Sequence, residues 1–172
     1  MAISIFVFVT SMSRALVSVL AAIVWCAMFS SAATAAGDDA AAIDRFIATQ
    51  ARREHGAEYR DARQIVVGKL SGVASPQTVV LYTIESQGGS NDHAQYLAVF
   101  VSRSGALLPV ARIDAGGKSR RSVELKSITD GAIMLATVGY AADDASCCPS
   151  VKGTTRYVLV NGMLREERDS QR

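Results

Sequence analysis

Cysteine is scarce in this chain, and where it falls excludes more than its number does. The 172 residues hold three: Cys26 in an apolar N-terminal run, then Cys147 and Cys148 side by side. No C-x-x-C occurs, so neither a thioredoxin-like redox motif nor a zinc-type ligand pair is spelled out. An excess of one charge is also lacking. The 18 Lys and Arg nearly balance the 16 Asp and Glu, with no basic stripe and no acidic tail. That excludes the usual footprint of a nucleic-acid binder and a solvated interaction arm. No phosphate-loop or dinucleotide spacing, internal repeat or low-complexity tract is present. Nothing implies a cofactor.

The N-terminus carries an address. Arg14 precedes the apolar run "ALVSVLAAIVWCAMF", 15–29, and small residues come next in "SSAATAAGDD". Ala33 and Ala35 give the A-x-A pattern of a signal-peptidase site, immediately before Asp38 and Asp39. Roughly 15 residues at ~1.5 Å each reach ~22 Å, short of a ~30 Å hydrocarbon core. Bulky Trp25 beside Cys26 disfavours a lipoprotein signal. The expectation is a secretory signal peptide over 1–35 and a single β-rich domain over 36–172, periplasmic or secreted. Membrane contact is then confined to the signal before cleavage. The remaining ~136 residues suffice for one core, and their charge balance is 17 − 16 = +1 once Arg14 is removed.

Periodicity changes once along the chain. In "DDAAAIDRFIATQARREHG", 38–56, Ile43, Phe46, Ile47 and Ala51 recur at helical spacing. Asp39 reads as the N-cap, with Arg52, Arg53 and His55 in the last turn and Gly56 as terminator. His55 is therefore read as a helix residue and not as a ligand. From Gln64 onward the segments are strand-like: "QIVVGKL", "TVVLYTIE", "QYLAVFVS", "LLPVARI", "SVELKSI", "AIMLATVGY" and "TRYVLV". Asp130-Gly131 and Asn161-Gly162 carry two-residue hairpin signatures, and "SRSGA" at 102–106 is a third turn. Both faces of "TVVLYTIE" and "QYLAVFVS" are apolar, which places them centrally. "SVELKSI" alternates, with Val123 and Leu125 inward. Pro109 restricts "LLPVARI" to an edge or a bulge. The predicted fold class is α+β, an N-terminal helix packed on an antiparallel β-meander of about seven strands.

Three loops hold the residues with chemical potential. "ESQGGSNDHAQ" offers Gly88, Gly89, Ser90, Asp92 and His93 as a ligand loop, because paired glycines permit close backbone approach. Asp92 could orient the His93 imidazole, but no serine or cysteine is tied to it by spacing. "DAGGKSRR" clusters Lys118, Arg120 and Arg121, either as a solvated turn or as an anion contact. "DDASCCPSV" holds the cysteine pair. Neighbouring Cα atoms lie about 3.8 Å apart, below the usual disulfide range of roughly 4.4–6.8 Å. In an oxidising compartment the last two cysteines should nonetheless pair, as an eight-membered ring in a tight turn before Pro149. A structural bridge, a redox centre, a soft-metal site with Asp143, Asp144 or His93, and intermolecular pairing all remain open.

Gly88-Gly89-Ser90, "YLAVF" at 96–100, Cys147-Cys148-Pro149-Ser150 and "YVL" at 157–159 together resemble a loosely defined family of small exported bacterial proteins of unestablished function. The resemblance runs from about Ile65 to Leu164, and the Cys-Cys-Pro-Ser segment is its specific part. Members often carry an Asp/Asn/Gly-rich "GDLNGDG"-type loop suited to calcium. The matching "GKLSGVASPQT", 68–78, has no carboxylate, so calcium is not carried over. The resemblance implies a secreted β-rich module and no particular reaction. Two function classes remain. One is an envelope binding or interaction module, of the inhibitor or immunity type, whose partner is an envelope protein or a small ligand. The other is a thiol-based redox or metal-binding protein using Cys147 and Cys148.

Overall fold

The computed structural model describes residues 37–86 and 92–167. By backbone packing the chain divides into Met1–Ala40 and Ala41–Arg172. Of the first unit only 37–40 are described, as helix, and the expected signal segment 1–35 lies outside the described residues. The second unit holds the sheet and its cores.

Helix α1 (37–53) buries Ile43, Ile47 and Ala51 with Phe46 beside them, as their spacing predicts. Its ends differ from expectation. Asp39 lies inside the helix, so it serves the positive end of the helix dipole and is no N-cap, which needs non-helical backbone. At the other end His55, not Gly56, takes the left-handed conformation (φ 51°). Gly56 is required for another reason: it opens a strand so close to the Glu85 carbonyl that a Cβ would overlap it.

Nine antiparallel strands are found among the described residues, two more than the seven segments read as strands. They are β1 (Gly56–Glu58), β2 (Gln64–Gly68), β3 (Gln77–Ser86), β4 (His93–Arg103), β5 (Ala106–Gly117), β6 (Arg121–Thr129), β7 (Ala132–Gly139), β8 (Val151–Val160) and β9 (Met163–Glu167). From β3 onward each pairs with the next, and β1 and β2 both pair with β3. The meander is as expected. Ser104-Gly105, Asp130-Gly131 and Asn161-Gly162 all have positive φ at both residues, the geometry of the tight hairpin turn. Pro109 faces Phe100 across a register shift, so β5 bulges where proline removes a ladder donor.

Strands β3 and β4 are buried on both faces because two different cores use them. Val80, Tyr82, Ile84, Ala98 and Phe100 face α1. Val79, Leu81, Leu97 and Val99 face the opposite way, against Val123, Leu125, Ile133, Leu135, Tyr157 and Leu164 of β6 to β9. The meander therefore folds back over itself as a second layer, and the hinge is the β5–β6 corner. Only one residue pair, Gly117 with Arg121, joins those strands.

That corner leaves one edge of β6 without a strand, and side chains satisfy it. The Gln95 amide accepts from Val123 N–H (2.8 Å) and donates to Val123 C=O (3.0 Å). Gln64 Oε1 accepts from Leu125 N–H at 2.6 Å. Sequence position groups Arg121 with a solvated or anion-binding turn, and the structure corrects this. Its guanidinium points inward, donating to the Ala115 carbonyl, to both Glu166 oxygens and to Tyr157 Oη. Inward orientation comes from parity, since Arg121 shares a face with Val123 and Leu125. The Arg121 guanidinium beside Glu166 brings that carboxyl down to about 2, against the opposing effect of burial, with Thr155 Oγ1 also donating to it.

The cluster has two measurable consequences. Arg121→Ala should cost about 2–3 kcal/mol in thermal or denaturant unfolding, the scale for charged hydrogen bonds removed from a half-buried site. Glu166 has a depressed folded pKa, so its contribution is complete above its ordinary value of 4.5 and lost as pH falls toward about 2. Thermal melts between about pH 6 and pH 2 should show a smaller acid-induced fall in Tm for Glu166→Gln than for the unaltered chain.

Candidate functional site

The open end of the folded-over meander forms a cleft of about 820 Å³. Its first wall comes from the ends of β3 and β4, where Glu85 and His93 are paired across the strands. Both carry on the inward face of Leu81 and Leu97, so their side chains continue the core surface out to solvent. Ser86 and Asp92 complete that wall, and the Ser86 amide donates to the Asp92 carbonyl at 3.0 Å. The floor of the corner is Gly117 with Lys118, whose amide donates to the His93 carbonyl at 3.0 Å. A Cβ at Gly117 would lie 2.5 Å from that carbonyl, and its φ is 142°, so this approach needs glycine. The far wall is Ser122 of β6 and the β7–β8 loop, through Tyr140, Ser146, Cys147 and Pro149.

The loop has two fasteners. Cys147 and Cys148 form a vicinal disulfide with their Cα atoms 3.8 Å apart, the pairing expected from sequence. Both cysteines are exposed. The second fastener has no counterpart among the sequence expectations. Asp144 accepts from Ala141 N–H (2.7 Å), Ser150 N–H (2.9 Å) and Ser150 Oγ (2.8 Å), closing the loop base. These donors, the Ala141 amide first, hold the Asp144 carboxyl below its ordinary pKa. Tyr140 Oη donates to the Ser146 carbonyl at 2.9 Å, which fixes the ring against the bridge-bearing turn. No local motif announces Asp144, because its partners are main-chain amides on both sides of the loop.

Sequence and structure agree only in part on which residues meet. Asp92, His93, Lys118 and Cys147 are brought to one cleft from three separate loops. Gly88, Gly89 and Ser90 lie outside the described residues. Arg120 is engaged with Asp114 at 2.5 Å, and Arg121 is interior. With the two sulfurs bonded to each other neither is a thiolate ligand, and Asp144 is committed to the loop. Among the described residues no group of three or more His, Cys, Asp or Glu is placed to hold a metal ion. Segment 68–78 is closed by protein groups: Gln77 accepts from Leu70 N–H at 2.8 Å and donates to the Ser75 carbonyl. Neither known protein families, nor curated proteins, nor solved structures include a match to this chain.

Because the ring is so short, the bridge removes little chain entropy from the unfolded state. Replacing Cys147 and Cys148 together by serine should therefore cost under about 1 kcal/mol in thermal melts. Adding Asp144→Ala should release the loop itself. Hydrogen exchange should then speed up by on the order of tenfold at the Ala141 and Ser150 amides and stay unchanged in β3 and β4.

Proposed function

We propose that this chain is an exported envelope protein whose β-rich domain is a binding module, with the cleft at the open end as its binding surface. The observation that carries the reading is convergence. Residues of three separate loops, Asp92-His93, Lys118 and Cys147, line one cavity of about 820 Å³, a size suited to a small ligand or a partner's side chains. A concave cleft with a few polar groups converging on it is a common form for such a site. Export is supported by the signal pattern before Asp38 and by a surface-accessible disulfide, which persists in oxidising compartments. Resemblance to exported proteins with a Cys-Cys-Pro-Ser segment supports the same address. As an inhibitor or immunity-type protein, the domain would engage an envelope protein through the cleft rim.

The reading is tested on material recovered from the cell envelope. Intact mass should show loss of about 35 residues, and a full-length membrane-bound species would contradict export. Ser122 is exposed and lines the cleft, so Ser122→Trp should obstruct it without disturbing the core. Envelope components retained by the unaltered protein should be lost with Ser122→Trp at an unchanged Tm. Equal retention by both would move the binding surface elsewhere.

A further inference from the structure

We propose that the Cys147–Cys148 bridge is a thiol–disulfide exchange centre, and that the cleft delivers to it a small zwitterionic thiol carrying both an ammonium and a carboxylate. The proposal rests on the reading of the cleft as the binding surface and adds a ligand class and a reaction. Three observations carry it. First, the bridge is exposed, and of its two sulfur-bearing residues only Cys147 lines the cleft. Second, the cleft presents uncommitted charges of both signs. Among the described residues the side chains of Glu85, Asp92, His93 and Lys118 make no hydrogen bond or ion pair. Free carboxylates suit a ligand ammonium, and Lys118 suits a carboxylate. Third, the loop is closed at its base by Asp144 independently of the bridge, so the bridge opens without the loop coming apart.

The exchange conserves atoms and electrons. A ligand thiolate RS⁻ attacks Cys147 Sγ, forming RS–Sγ and breaking the Sγ–Sγ bond. Cys148 leaves as a thiolate and takes a proton from water. A second RS⁻ attacks the ligand sulfur of the mixed disulfide, releasing RSSR and the Cys147 thiolate, which is protonated in turn. Two thiols are oxidised to one disulfide, and the bridge takes up two electrons and two protons.

Free cysteine, a zwitterionic thiol, and uncharged 2-mercaptoethanol are compared as reductants of the full mature chain. Each rate is divided by that of the same thiol on the urea-denatured chain, which removes intrinsic differences between the thiols. The normalised rate should be about tenfold higher for cysteine, and Lys118→Ala should bring the two thiols together. Peptide mapping of the first adduct should place the added cysteine on Cys147. Equal normalised rates, or an adduct on Cys148, would overturn the exchange proposal. S-Methylcysteine, which carries the charges without the thiol, separates the two ideas. If it shifts the amide resonances of His93 and Lys118 while the thiols show no preference, the cleft binds and the exchange claim falls. If it shifts neither and no preference is seen, both fall.

Discussion

One strand edge governs the architecture of this domain. Strand β6 meets β5 at a single residue pair, yet its inward face must cover the apolar side of β3 and β4. A strand turned away from its neighbour leaves N–H and C=O groups that cost free energy when buried unpaired. Glutamine amides supply the missing partners: Gln95 mimics a strand for Val123, and Gln64 does so for the Leu125 amide. Gly116 makes room for them. A Cβ there would lie 2.7 Å from the Arg121 carbonyl and 3.0 Å from Gln95 Oε1. Arg121 then ties the corner to β8 and β9 through Tyr157 and Glu166.

The cleft is a consequence of that corner. Because β5 and β6 part immediately beyond the turn-closing Gly117–Arg121 pair, the end of the folded meander stays open between Glu85-His93 on one side and Ser122 with the β7–β8 loop on the other. His93 sits two residues before Gln95 on the same face of β4, so the residue that fastens the corner and the one that lines the mouth share one strand. On the opposite surface the helical layer is held by its own polar contacts. Arg112 lies 3.9 Å from the Tyr96 ring centroid while bonding Tyr82 Oη and Glu54. Burial pushes the Tyr82 phenol up to about 12, which keeps it a neutral partner for that arginine across the working pH range. The two layers are thus fastened separately, and the mouth belongs to the inner one.

Much of the fold is legible in the sequence because it is written in local periodicity. Helical spacing of Ile43, Ile47 and Ala51, two-faced apolar runs in β3 and β4, and Asn-Gly or Asp-Gly turns each report on neighbours a few residues away. The short strand β1 is not legible, since three residues around Gly56 carry no period. The layer reversal is hidden as well. It depends on contacts 28 and 61 residues apart, Gln95 with Val123 and Gln64 with Leu125, and an isolated glutamine has no spacing signature. Arg121 misleads for a related reason: beside Lys118 and Arg120 it looks like part of a charged turn, and only strand parity turns it inward. Of the site, the bridge is legible, because the last two cysteines of a chain expected in an oxidising compartment should pair. The loop-closing role of Asp144 and the place of Ser122 in the cleft become visible only once the chain has folded.

Amide hydrogen exchange at Val123 and Leu125 is the decisive measurement for the corner. Neither amide has a β5 partner, so their protection depends on Gln95 and Gln64. Both should exchange as slowly as the central amides of β3 and β4, and Gln95→Ala should accelerate Val123 by at least about tenfold relative to those reference amides. Rapid exchange of Val123 and Leu125 in the unaltered protein, at the rate of exposed turn amides, would show that the corner is not held in this way.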